Sequence, residues 1–172
     1  SVVQAFQIIK QVLFAVKEVH EAGFLHLDIQ EGNVFIKGSL SAEDNLVSLV
    51  DFGAARPVCE DGLCPVIRDR ALFSTMGFES PEIVGHNDGT LRLGAEADLY
   101  SVGYLLLLML TGKRYTQREL DSANIGLYLS KRKLKKLNCP AHMADKVHQI
   151  ISKALKKTPE ERYHSCEEML AD

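Results

Sequence analysis

The chain has 172 residues, of which 46% are hydrophobic and 25% charged, with a formal net charge of −3. These values suit one globular domain with a sizeable core, and they exclude the strongly basic balance with which proteins hold nucleic acid or anionic membrane. Four cysteines and an N-terminus without the basic, apolar, small-residue order of a signal peptide fit a reduced, cytoplasmic setting; the longest apolar run, Val102 to Leu110, falls well short of the ~20 residues that a membrane span needs.

Taken in chain order, Val2, Phe6, Ile9, Leu13 and Val16 form an apolar helical stripe, and Ile8, Val12, Ala15 and Val19 widen it to more than one buried face. Gly23 is placed to end that helix. Phe24 and Leu25 lead into the loop from His26 to Asn33. Val34 to Lys37 and Leu46 to Val50 read as two short strands around a turn-rich stretch, a β-hairpin. After Gly53 periodicity is lost until about Pro81, which predicts an irregular, functional loop. Ala95 to Leu110 is apolar nearly all round, a central buried helix closed by Gly112. Thr116 and Glu119 predict a capping box. Met143, Val147, Ile150, Ile151, Ala154 and Leu155 share one helical face that Thr158 and Pro159 stop, and Ser165 with Glu168 caps a short last helix. The expected class is mainly α, α+β overall: a helical bundle with one small β-hairpin, in one domain over residues 1–172.

The hairpin gives this layout its chemistry. It folds the chain back, so that Asp51 returns to the neighbourhood of Asn33, with Asp28 as a further carboxylate. Mg²⁺ is held by one or two carboxylates plus substrate phosphates. Asn33 and Asp51 supply such hard oxygens and leave Asp28 free to meet a hydroxyl, a set suited to phosphoryl transfer. Taken singly, Asp28 reads as a turn or helix cap and Asn33 as a turn residue; Glu82 and Arg162 read as surface charges. Cys59 and Cys64 lack the second pair that a zinc site needs, and read as free thiols. Lys131, Arg132, Lys133, Lys135 and Lys136 read first as a solvated helix face without the aromatics that stack bases, and second as a dock for an acidic substrate or partner.

At these residues the chain resembles the protein kinase family. His26-x-Asp28-x-x-x-x-Asn33 is similar to the catalytic loop and Asp51-Phe52-Gly53 to the magnesium-binding motif. Ser74 to Glu82 resembles the end of an activation segment, Asp98 to Gly103 the start of the helix that anchors the catalytic loop, and Arg162 the arginine that pairs with the glutamate at Glu82. The resemblance implies a protein kinase-like C-terminal lobe using ATP and Mg²⁺, with Mn²⁺ able to stand in, and a protein substrate phosphorylated on serine or threonine. Asp28 would be catalytic, and Asn33 and Asp51 would hold metal. Thr75, Gly77 and Phe78 would form the substrate loop. His26, Phe52, Gly53, Glu82, Asp98 and Arg162 would support the site, with His26 and Phe52 packed inside and Asp98 bonded to loop amides.

Two residues depart from the pattern. Leu27 stands where the family has an arginine that meets an activation-loop phosphate, so phosphorylation there is not expected to be the main switch. Gln30 stands where serine/threonine kinases have a lysine, replacing a cation near the γ-phosphate by a neutral amide. The resemblance starts at the helix before the catalytic loop, so the N-terminal ATP-binding lobe, hinge and preceding helix are expected to be absent and the isolated chain inactive. Two rivals remain: a small-molecule phosphotransferase of the kinase-like superfamily, and a pseudokinase or docking module. The first generally lacks motifs like Ser80-Pro81-Glu82 and Asp98 to Gly103.

Overall fold

The computed structural model describes residues 1–38, 46–67, 78–85, 90–122 and 128–172. Helix α1 (Val2–Glu21) opens with a capping box, in which Ser1 Oγ accepts from the Gln4 amide at 3.3 Å and the Gln4 side chain returns to the cap. Such reciprocal bonding satisfies amides that have no partner inside the first turn. The helix buries Val2, Ala5, Ile8, Ile9, Val12, Leu13 and Val16, the stripe predicted from the spacing.

The central helix α3 (Ala95–Thr111) is buried from Ala97 through Leu107 and ends at Gly112, which takes the left-handed conformation at φ 65°. A glycine adopts that conformation without steric cost. Gly103 sets the approach of α6 (Ala144–Ala154) to α3, because a Cβ on it would lie 2.4 Å from Ala154 Cβ. Helices α1, α3 and α6, with the last helix α7 (Cys166–Ala171), enclose the main core. Each fully buried Leu or Ile there contributes about 1.5–3 kcal/mol through removal from water.

The strands form three separate two-stranded antiparallel sheets. β2 (Val34–Lys37) pairs with β3 (Leu46–Leu49), the expected hairpin, with Val34 opposite Leu49. β1 (Phe24–Leu25) pairs with β4 (Arg56–Pro57), and β5 (Cys64–Ile67) with β6 (Thr90–Leu93). The expectation of irregular chain from Gly53 to Pro81 is thus corrected in part, since β4 and β5 lie within it. Pro57 and Pro65 hide them, as proline argues against a strand unless it sits on an edge, and every strand of a two-stranded sheet is an edge. A second apolar cluster beside these sheets gathers Leu25, Leu27, Cys64, Ile83, Leu93 and Ala97.

Short helices complete the fold: α2 (Pro81–Gly85), α4 (Gln117–Ser122) and α5 (Lys131–Lys136). The capping box before α4 is present: Thr116 N donates to Glu119 Oε2 at 2.8 Å and Glu119 N to Thr116 Oγ1 at 3.3 Å. Before α7 only half of one forms. Glu168 N donates to Ser165 Oγ at 3.2 Å, while the Glu168 carboxylate accepts from His164 N at 2.7 Å. No described helix is long and apolar enough to cross a membrane.

Candidate active site

The loop from His26 to Asn33 lies between β1 and β2, and α3 holds it from beneath. Asp98, fully buried in the first turn of α3, accepts from His26 N through Oδ2 and from Leu27 N through Oδ1, both at 2.8 Å. His20, in the last turn of α1, places Nε2 2.8 Å from the same Oδ2. A buried carboxylate is tolerated only when its lone pairs are satisfied, and these three donors do so. The sequence reading missed His20; the only signal was a polar ring one position after the apolar residue Val19. Its other nitrogen, Nδ1, is 4.0 Å from Cys166 Sγ, a thiol that burial pushes up to about 12.

Leu27 adopts φ 61°, a left-handed conformation that costs a residue with a Cβ roughly 1–2 kcal/mol. The two amide bonds to Asp98 and burial of the leucine at 8% exposure offset that strain. It points Leu27 into the second apolar cluster, against β5, α2 and β6.

Beyond Leu27, Asp28 is the focus of two amides. Asn33 Nδ2 donates to Asp28 Oδ2 at 2.7 Å and to the Asp28 carbonyl at 2.9 Å. Gln30 Nε2 lies 3.0 and 3.1 Å from the two Asp28 carboxylate oxygens. Asp28 N in turn donates to His26 Nδ1 at 3.3 Å.

Asn33 sits in a 3₁₀ turn (Glu31–Asn33) at the start of β2, and its carbonyl accepts from Val50 N at 3.0 Å. That bond extends the hairpin ladder and sets Asp51 at the same end as Asn33. Asp51 itself is left-handed, at φ 63°, and its Oδ1 accepts from Gly53 N at 3.2 Å. Both NH₂ hydrogens of Asn33 are directed at Asp28, which leaves Oδ1 as its outward atom. Asn33 Oδ1 and the Asp51 carboxylate are hard oxygen donors, of the kind that fits Mg²⁺ or Mn²⁺.

Phe52 corrects one expectation. It was expected inside, yet it is 52% exposed. Its ring meets that of His26 at 4.9 Å between centroids, and otherwise borders an open groove of about 610 Å³ shared with Val19, Phe24, Val47 and Leu49. No element among the described residues covers it.

Phe78 is buried at 3% exposure, edge-on to Tyr104 at 4.7 Å, and its carbonyl accepts from Ser101 Oγ at 2.7 Å. Thr75 and Gly77, the other two substrate-loop residues, lie outside the described residues. Glu82 and Arg162 meet in a two-pronged ion pair, with Nη1 to Oε1 at 2.8 Å and Nη2 to Oε2 at 2.6 Å. All four cysteines are free, and no group of three or more metal-ligating side chains occurs among the described residues.

A helical domain whose hairpin gathers an aspartate, an asparagine and a second aspartate over a buried anchoring carboxylate is a phosphotransferase-like architecture, and comparison with known proteins places it. The chain belongs to the protein kinase domain family, which matches residues 2–172. It is 29% identical over 159 residues to the serine/threonine-protein kinase PLK4 of Drosophila grimshawi, covering 92% of this chain and 19% of that protein. It is 27% identical over 169 residues to the serine/threonine-protein kinase PknB of Mycolicibacterium smegmatis, covering 98% of this chain and 25% of that protein. A probable serine/threonine-protein kinase zyg-1 of Caenorhabditis briggsae is 36% identical over 108 residues, 62% of this chain and 14% of that protein. The chain therefore spans a quarter or less of the length of these relatives.

Proposed function

We propose that the chain is the C-terminal lobe of an ATP- and Mg²⁺-dependent protein kinase that phosphorylates serine or threonine on a protein substrate. The observation that carries this reading is the Asp28 carboxylate, held by the Asn33 and Gln30 amides at the end of the hairpin that returns Asp51. In this reading Asp28 accepts the hydrogen bond of the acceptor hydroxyl and aims its oxygen, which is most of what a loose phosphoryl-transfer transition state asks of a protein. Asn33 and Asp51 would hold the metal, which would supply neutralisation of phosphate charge when bound. Asp98 and His20 fix the loop, while Phe78 and the Glu82–Arg162 pair anchor the substrate side.

The open apolar face around Phe24 and Phe52, 43% and 52% exposed, receives the N-terminal lobe that completes the ATP site. The 172 residues by themselves are therefore inactive. The names of the relatives favour serine or threonine as acceptor, and the absence of a membrane-length helix among the described residues is compatible with a cytoplasmic enzyme.

A docking-module reading has one observation in its favour: Gln30, in place of a cation, takes up both oxygens of Asp28. One experiment separates the two. The full-length protein is assayed for Mg²⁺-dependent transfer from labelled ATP to a mixed serine, threonine and tyrosine peptide library, beside an Asp28→Asn variant and the 172-residue chain. Transfer to serine or threonine peptides by the full-length protein alone, lost in the variant, is expected. No transfer by a folded full-length protein would overturn the enzyme reading and leave the docking module.

A further inference from the structure

Helix α5 has an inner and an outer face of opposite character. Leu134 is fully buried and Lys133 half-buried, with Lys133 Nζ reaching the Thr111 carbonyl at 3.4 Å. The outer face is Lys131, Arg132, Lys135 and Lys136, all exposed. Lys131 pairs with Asp145 at 2.9 Å, in a contact that is about 70% exposed on both sides. Arg132, Lys135 and Lys136 have no carboxylate partner among the described residues.

This arrangement works against the helix that carries it. Lys131 and Lys135 repel at i, i+4, as do Arg132 and Lys136. Lys131 and Arg132 also sit in the first turn, where the helix dipole disfavours cations. Local compensation comes from Ser130, whose Oγ accepts from Lys133 N at 3.3 Å, from the exposed Lys131–Asp145 pair, and from the last turn, where the dipole favours Lys135 and Lys136. In a chain with a net charge of −3, such a concentration of uncommitted cations on one short face is a local feature and not a by-product of overall composition.

We propose that the outer face of α5 is a docking surface for a flexible acidic segment of a protein partner. Charge complementarity selects the occupant. Exposed cations along one helix face suit an extended chain that lays carboxylates beside them. The face presents no aromatic side chain on which a base could stack. It presents no apolar side chain for a lipid surface, since the helix's one leucine faces inward. Binding of this kind is salt-sensitive and acts mainly through the association rate.

The test measures fluorescence anisotropy of a labelled polyglutamate peptide with the full-length protein, at low and at physiological salt. It is repeated with Arg132→Gln/Lys135→Gln/Lys136→Gln and with a control of equal charge loss, Lys10→Gln/Lys37→Gln/Lys156→Gln. Glutamine forms helix about as well as lysine, so the melting midpoint of the α5 variant should equal or exceed the parent's. Affinity should fall at least about tenfold in the α5 variant and stay near the parent's in the control. Equal loss in both variants, or no polyglutamate binding by the parent, would overturn the proposal. So would tighter, α5-dependent binding of single-stranded RNA or phosphatidylserine vesicles, or lost binding accompanied by a lower melting midpoint.

Discussion

Arg162 grips Glu82 across 80 positions of sequence with two parallel hydrogen bonds, and its guanidinium is completely buried. The remaining guanidinium hydrogens go to the carbonyls of Lys156, Lys157 and Glu96, and the plane lies 4.9 Å from the Tyr100 ring. Removing one partner of such a pair strands the other. Arg162→Ala is expected to cost about 3–5 kcal/mol, read as a lower urea midpoint. Arg162→Lys should recover only part of it, because an ammonium cannot reproduce the planar fork.

Gly103 makes a second prediction, independent of charge. A Cβ there would collide with Ala154 at 2.4 Å, and neither helix can yield without opening the core. Gly103→Ala should destabilise by about 1–3 kcal/mol, even though alanine favours helix over glycine. Thermal melting of the variant checks this; an unchanged midpoint would mean that α3 and α6 do not meet here.

Gln30 offers a gain-of-function test of the proposed activity. Its neutral amide bonds Asp28 where a charged donor would bond about twice as strongly and neutralise developing phosphate charge. Gln30→Lys should raise the turnover of the full-length protein by about tenfold, equivalent to about 1.4 kcal/mol of barrier, with little change in KM for the peptide. Steady-state kinetics on one serine peptide gives both parameters.

The pH dependence should concentrate at α7. Glu167 is held below its ordinary range by Lys17, Glu168 by the His164 amide and Lys153, and Asp172 by Lys146 and then Tyr163. Depressed carboxylates stabilise fully above about pH 4.3 and lose that contribution as pH falls through their folded values. His164 is raised by its bond to Glu96; its contribution is complete below about 6.5 and is lost as pH rises through the raised value. Helix α7 should therefore hold best in the mildly acidic interval between these limits and loosen first in stronger acid. These groups are largely exposed, so added salt should blunt both flanks. Hydrogen exchange of residues 166–171 against pH, with α3 as internal reference, follows the effect.

The parts legible in the sequence were those specified by neighbouring residues. Helical stripes, Gly112, the Thr116–Glu119 box and the β2–β3 hairpin all depend on short spacing, and the spacing was read correctly. Phe52 was misplaced because burial depends on what packs over a side chain, which no local pattern encodes. β4 and β5 escaped because their partners are distant in sequence and their prolines argue against strand. His20 went unnoticed for a related reason: its partner Asp98 lies 78 positions away. At the candidate site, the spacing of Asp28, Asn33 and Asp51 located the loop. That Gln30 would turn back onto Asp28 is a rotamer choice made only in three dimensions.

Leu27 has one further consequence. It ties the His26–Asn33 loop to β5, α2 and β6 through an apolar cluster, among Leu25, Cys64, Ile83, Leu93 and Ala97. An arginine–phosphate contact at this point would weaken as ionic strength rises. Contacts among leucine, isoleucine and cysteine are indifferent to modest salt, but they lose strength as water is cooled, because their driving force near room temperature is entropic. The grip between these segments should thus respond to a thermometer and ignore a conductivity meter.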